Sequence, residues 1–355
     1  MEKPFTNCQL KFLVYGMGAI GSYIGGSLLL SGQKVAFIER KETADLVAKN
    51  GLILSINQQK HSIPNPVIYD SLEKAFEAED YDILIFALKA FDTDTVLSTM
   101  RPYAEKMPPI LCIQNGIGNE DKIGELFGAN CVIAGSVTSA IGKVSAGNVV
   151  LEKMRGIGIA AGHNQSQQLV DIFCEAGLNA KLYPNPQSMK WSKMITNLLG
   201  NATSAILDLT PTEIYSNLSL YQIEVEQIRE TLKVMSRQNI RVTNLPGTPV
   251  RLLAFILRYL PVKLSQPFAV KMLGEGRGAK MPSFHIDLHS GRGKSEVEYL
   301  NGAVYKAGKK VGVKTPINFV LNDTLMKLTN GELELQDFKK NPQTLIDRMA
   351  AIREK

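Results

Sequence analysis

Lys193, Asn197 and Asn201 follow one another at intervals of four in Lys190-Trp-Ser-Lys193-Met-Ile-Thr-Asn197-Leu-Leu-Gly-Asn201. On a helix that interval places all three on one face. Ile195, Leu198 and Leu199 fall on others. A lysine and two asparagines in line are poor core material and good lining for a polar cleft facing another domain. An ammonium there can stabilise negative charge developing on an oxygen and can deliver a proton to it. A second group has a different chemistry. Phe12 to Tyr15 is a short apolar run that stops at Gly16-Met17-Gly18-Ala19-Ile20-Gly21, after which helix-compatible residues continue to Leu30. Strand, glycine turn, helix is the order a dinucleotide pyrophosphate requires. The first glycine makes the turn, the second admits the phosphates, the third lets helix pack on strand, and the helix N-terminus offers unpaired N–H groups.

The elements that must position these groups can be read from periodicity. Lys34 to Glu39 reads as a second strand ending at Glu39-Arg40. An acid at that place accepts from the adenosine ribose and favours NAD, whereas an arginine accommodates the 2′-phosphate of NADP. Both are present, so the pair alone leaves the choice open. Residues 51–69 read as a hairpin excursion and a return strand. Asp82 to Ala87 is a continuous apolar run, as expected of an interior parallel strand, and Lys89 follows at its carboxyl end. Ile110 to Ile113 ends in Gln114-Asn115-Gly116, which puts Asn115 at the same edge, where ligands collect in open α/β sheets. Residues 131–162 suggest two or three more strands, 165–176 a helix and 180–183 a last strand. Pro184-Asn185-Pro186 then marks a boundary.

Beyond it the spacing turns helical, with six or seven segments expected up to the C-terminus. His285 and His289 are four apart, but neither an adjacent glutamate nor a third ligand accompanies them in the sequence. They read as surface or capping histidines, and no metal is expected. Glu296 falls in the first turn of the helix after Gly293, where a negative charge is favourable.

Composition bounds the functions available. The chain has 355 residues, 45% of them apolar and 21% charged, as in a globular protein of more than one domain. Its net charge of +6 is spread along the chain, which does not indicate nucleic acid binding. Cys8, Cys112, Cys131 and Cys174 make no metal-ligand spacing and suit a reducing compartment, and the N-terminus lacks the pattern of a signal peptide. The apolar stretch from Val250 to Val270 is interrupted by Arg251, Arg258, Pro261 and Lys263, so it reads as a helical insertion rather than a membrane span.

Together the motifs resemble the ketopantoate reductase (2-dehydropantoate 2-reductase) family. The matching residues are Gly16-Met-Gly-Ala-Ile-Gly21, Leu88-Lys89, Gln114-Asn115-Gly116, Trp191-x-Lys193-Met-x-x-x-Asn197-x-x-x-Asn201, Pro282-Ser283-x-x-x-Asp287 and Glu296-Val-Glu-Tyr-Leu-Asn301-Gly302. The resemblance implies an α/β Rossmann-type dinucleotide-binding domain over residues 1–185 and an all-α substrate domain over 186–355; the stretch at about 244–280 departs from the family pattern as a longer, apolar insertion. It implies Lys193 and Glu296 as catalytic residues and Asn115, Asn197, Asn201 and Ser283 as the substrate site. Residues Gly16 to Gly21, Arg40 and Lys89, with Asn115 and Glu296, would contact the cofactor. It tips the cofactor toward NADP, with NAD left open by Glu39. The activity it implies is NADPH-dependent reduction of the 2-keto acid ketopantoate to pantoate, the alternatives being reduction of another branched 2-keto acid or a non-catalytic NAD(P)-binding regulator. The expected setting is cytoplasmic, and a homodimer is compatible with a helical second domain.

Overall fold

A computed structural model describes residues 9–271, 280–291 and 293–353; Cys8 and part of the apolar insertion lie outside them. The chain divides into two compact units. The first comprises residues up to Gln114, Asn119–Pro186 and Pro246–Thr248; the second comprises Asn115–Gly118, Gln187–Leu245 and Pro249 onward.

In the first unit the order is β1 (Lys11–Tyr15), α1 (Ala19–Leu30), β2 (Lys34–Ile38), α2 (Lys41–Asn50), β3 (Leu52–Ile56), β4 (Gln59–Ile63), β5 (Val67–Tyr69), α3 (Leu72–Ala78) and β6 (Ile83–Phe86). It continues with α4 (Thr93–Met100), β7 (Ile110–Cys112), α5 (Asn119–Phe127), β8 (Val132–Val137), β9 (Ala140–Ser145), β10 (Asn148–Lys153), β11 (Ile157–Ala160), α6 (Ser166–Glu175) and β12 (Ala180–Tyr183). The main sheet runs β12-β11-β8-β7-β6-β1-β2-β5. Its pairs are parallel except β11 with β8. Alternation along β1 explains the two layers of helices. Phe12 and Val14 enter one core with Tyr23, Ile24 and Leu28 of α1 and Leu169 and Phe173 of α6. Leu13 enters the other with Leu72 of α3, Leu97 and Met100 of α4 and Ile123 of α5. Covered on both faces, the central strands must be continuously apolar, as they are.

Residues 131–162 form four strands, more than the two or three expected. Two of them, β9 and β10, join β3 and β4 in a second sheet of order β4-β3-β10-β9. This sheet packs on α1, which is consequently buried on nearly every side from Gly21 to Leu28. Small residues make the sandwich feasible. A side chain at Gly26 would run into Leu54 of β3, and one at Gly25 into the Phe37 ring of β2.

The second unit is helical: α7 (Pro186–Leu198), α8 (Ala202–Leu207), α9 (Pro211–Ser216), α10 (Leu218–Arg237), α11 (Val250–Tyr259), α12 (Val262–Ala269), α13 (Ser283–His289), α14 (Asn301–Lys310), α15 (Pro316–Thr329), α16 (Leu335–Phe338) and α17 (Pro342–Arg353). These eleven helices among the described residues exceed the six or seven expected, because α8, α9 and α16 are too short to show a period of their own. The helix read through Asn201 is in fact broken. Gly200, at φ +65°, separates α7 from α8, and a Cβ there would lie 2.7 Å from the Tyr215 hydroxyl.

Buried polar groups of α10 anchor this unit. Glu224 accepts from Gly200 N–H (2.7 Å), Thr203 Oγ and Gln227 Nε2 (2.7 Å). Glu230 caps α15, accepting from the N–H groups of Ile317 (2.9 Å) and Asn318 (3.0 Å) and from Asn318 Nδ2 (2.8 Å). Burial is the largest influence on the Glu230 carboxyl and pushes its pKa up, against the pull of those donors. The insertion packs on the same helix. Arg229 donates to the carbonyls of Leu257 and Leu260, both at 2.9 Å, and the Tyr221 hydroxyl to Ser265 Oγ at 2.9 Å. Val250, Ala254 and Leu257 are buried there, while Leu252, Phe255, Tyr259, Leu264 and Phe268 stay exposed. No described helix is long and apolar enough to cross a membrane.

Because Glu230 is 8% exposed and serves donors at the start of α15, Glu230→Ala should lower unfolding free energy by about 2–4 kcal/mol in a denaturant titration. A change below about 0.5 kcal/mol would show that water replaces the carboxylate at no cost.

Candidate active site

The glycine turn sits at the carboxyl end of β1, where the strand order reverses between β1 and β6. Gly16 has φ +102°, and a Cβ on it would come within 2.8 Å of Leu88 at the end of β6. Gly16 N–H donates to Ile38 O at 2.9 Å, closing the turn onto β2. A Cβ on Gly21 would overlap the Gly16 carbonyl oxygen, whereas one on Gly18 would have nothing within 4 Å. The third glycine therefore serves packing, and the second borders open space. Gly18 occupies the N-cap position of α1 with no capping side chain, and the first turn contains no acid. The positive end of the helix dipole is left to an external anion, so these residues fit a dinucleotide pyrophosphate.

Sequence reasoning missed how Glu39 is used. Its Oε2 accepts from Met17 N–H at 2.8 Å and its Oε1 from Arg40 N–H at 2.9 Å. The carboxylate braces the glycine turn from inside the unit. Arg40 is exposed at the start of α2, with its side chain in no hydrogen bond or ion pair among the described residues. Lys89 begins the short turn after β6, half-buried. The loop is tied down by Gln114, 4% exposed, whose Nε2 lies 3.0 Å from both Leu88 O and Thr93 Oγ1.

The second group lies wholly in the helical unit. Lys193 is half-buried on α7, one turn before Asn197. Asn197 Nδ2 donates to Asn115 Oδ1 at 3.1 Å. Asn201, 6% exposed, donates from Nδ2 to Asn197 O (3.1 Å) and Ser283 Oγ (3.3 Å), and its Oδ1 accepts from Phe284 N–H at 3.0 Å. One amide thus joins α7, α8 and the start of α13. Glu296, 3% exposed, lies on a single 3₁₀ turn, Glu296–Tyr299, rather than in an α-helix. Gly116 meets that turn closely. At φ +89° a Cβ would lie 2.6 Å from Tyr299 O, which also accepts from Ile117 N–H at 3.3 Å. The loop bearing Asn115 is thereby stitched to the turn bearing Glu296. Lys190, which sequence reasoning did not single out, is more deeply buried than Lys193, at 6% exposure. Its place beside Trp191 in an apolar helix face was the available signal.

A glycine turn that fits a pyrophosphate on a largely parallel sheet, and a lysine with amides on a helical unit, suit a dinucleotide-dependent oxidoreductase of two units. Residues 12–164 match the family described as ketopantoate reductase PanE/ApbA, and residues 185–329 match the C-terminal part of the same family. The chain belongs to that family.

The 2-dehydropantoate 2-reductase of Pyrococcus horikoshii is 27% identical over 317 residues, covering 88% of this chain and 95% of that one. The Lactococcus lactis protein of the same name is 25% identical, covering 92% and 99%. Among solved structures, a PanE/ApbA family ketopantoate reductase from Ralstonia eutropha superimposes with a TM-score of 0.76 at 22% identity, covering 91% of this chain and 99% of that one. A D-mandelate dehydrogenase solved with NADH and anilino(oxo)acetate gives 0.74 at 24% identity, with the same coverage. At these identities the structural likeness speaks for the fold.

The geometry around the turn separates packing from binding. Gly18→Ala should leave unfolding free energy within about 0.5 kcal/mol of wild type, while Gly21→Val should cost about 3 kcal/mol or more. Equal effects in thermal and denaturant melts would contradict the division of roles.

Proposed function

We propose that this protein reduces 2-dehydropantoate (ketopantoate) to pantoate with NADPH, the step that feeds pantothenate and coenzyme A synthesis, in the cytoplasm. The observation that carries the reading is the chain Asn115–Asn197–Asn201–Ser283, hydrogen-bonded within one unit, with Lys193 a turn before Asn197 on α7. An ammonium beside amide and hydroxyl donors suits a substrate with a carboxylate next to a ketone.

In this reading the Ser283 hydroxyl and the Asn197 amide hold the carboxylate, and Asn201, bonded to both residues, positions them. Lys193 Nζ stabilises the negative charge that grows on the keto oxygen and gives it a proton. Glu296 orients the ammonium or accepts from the distal hydroxyl of the substrate, and Asn115 orients Lys193 or the nicotinamide. NADPH, when bound, supplies the hydride. Gly16 to Gly21 receive the pyrophosphate, and Arg40 with Lys89 receives the 2′-phosphate. The engagement of Glu39 with two main-chain N–H groups favours Arg40 as the specificity residue, and hence NADPH over NADH. The proposed assembly is a homodimer, on the ground that helical second domains commonly pair; sedimentation of the purified enzyme tests it.

The deciding experiment is cofactor oxidation with ketopantoate and a panel of other 2-keto acids, run with NADPH and with NADH. Ketopantoate-selective turnover with NADPH is expected. Lys193→Ala should lower kcat about a thousandfold while leaving NADPH affinity within about twofold. Arg40→Ala should raise KM for NADPH roughly ten- to a hundredfold, as expected for a lost charge-assisted bond, and leave NADH unaffected. Turnover of another branched 2-keto acid in place of ketopantoate would keep the chemistry and change the substrate. NADPH binding with no turnover of any keto acid would make the protein a non-catalytic regulator.

A further inference from the structure

His285 and His289 are one turn apart on α13, and the fold brings them a partner that their sequence neighbourhood lacks. Asp208 follows the last residue of α8 in a left-handed conformation, φ +50°. Its Oδ1 lies 2.8 Å from His285 Nε2. The two imidazole rings stand 4.2 Å apart, centre to centre. One ligand atom from each of Asp208, His285 and His289 lies within 4.8 Å of the others.

We propose that Asp208, His285 and His289 form a binding site for a divalent transition metal of the zinc type, separate from the catalytic lysine and its amides. Two imidazole nitrogens and one carboxylate oxygen are the donor set of zinc, cobalt or nickel, whereas calcium and magnesium call for oxygen throughout. Zinc ligands at about 2.0–2.1 Å stand roughly 3.3 Å apart in a tetrahedron. From the present spacing the aspartate–histidine pair, at 2.8 Å, would open by about half an ångström, and the His289 nitrogen lies within 4.8 Å of both partners. His289 is exposed, while Asp208 and His285 are half-buried, so water can complete the coordination.

The cation facing Asp208 is Lys339, whose Nζ lies 3.5 Å from Asp208 Oδ2, and the Glu213 carboxylate is close enough to interact with the same group. Lys339 offers Asp208 a competing cation, and its own side chain is 50% exposed and able to move aside. The placement also gives the metal a structural task. Asn201 holds the start of α8 to the start of α13 through Ser283 and Phe284. Asp208 lies at the other end of α8, so a metal would clasp the pair of helices a second time and fix the element that carries Ser283.

The test uses the full chain stripped with a chelator and titrated calorimetrically with zinc, with the d–d spectrum of added cobalt as a direct view of the ligands. One equivalent of metal and a nitrogen–oxygen cobalt spectrum are expected. His289→Ala, at an exposed position, should weaken binding at least tenfold, and Asp208→Asn should do likewise. His61→Ala/His163→Ala, which removes the histidines of the other unit, should change nothing. Lys339→Met should tighten binding severalfold by removing the competing charge. Absence of stoichiometric binding, or affinity unchanged in His289→Ala, would overturn the proposal.

Discussion

The helical unit depends on a constraint centred on one asparagine. Asn201 has a single amide, and both ends of it are spent: the nitrogen on Asn197 O and Ser283 Oγ, the oxygen on Phe284 N–H. At 6% exposure, water offers no substitute for these partners, so the relative positions of α7, α8 and α13 follow from the geometry of one planar group. The break at Gly200 is what makes this feasible. An uninterrupted helix would carry Asn201 along the face of Asn197, whereas the left-handed glycine turns it to head a new helix.

That break needs its own support, and α10 provides it. Glu224 accepts the Gly200 N–H that leaving helical geometry frees, together with the hydroxyl of Thr203 in α8. Gln227 and Asn318 pass the network on to Asn301 at the start of α14, and Glu230 closes it at the head of α15. Buried carboxylates and amides are costly unless each is served by donors and acceptors. Here some of the partners are backbone N–H groups at helix ends, those of Gly200, Ile317 and Asn318, so the same bonds that satisfy the carboxylates also satisfy termini that would otherwise be orphaned.

How much could be read in the sequence follows from how local each feature is. The strand–glycine–helix unit, the interior strands and the lysine–asparagine spacing were legible because each depends on residues within a turn or two. The second sheet was not, because β3 pairs in parallel with β10, which lies far away in the chain. The short helices of the second unit escaped for lack of a full period. Glu39 was legible as a residue but not as a brace, since its bond to Met17 comes from the turn that β1 makes beside β2. Likewise the histidine pair was visible, but its aspartate stands 77 residues before His285 and is brought up only by the packing of α8 on α13.

Glu39 carries a consequence for ligand capture. A carboxylate that already holds an N–H of the glycine turn is a built-in anion, tethered where its local concentration is high. It keeps the turn in its working shape before any ligand arrives, so little ordering entropy remains to be lost on binding. It also repels every phosphate that approaches. A small free anion has only the helix dipole to set against that repulsion, whereas a dinucleotide brings contacts along its whole length.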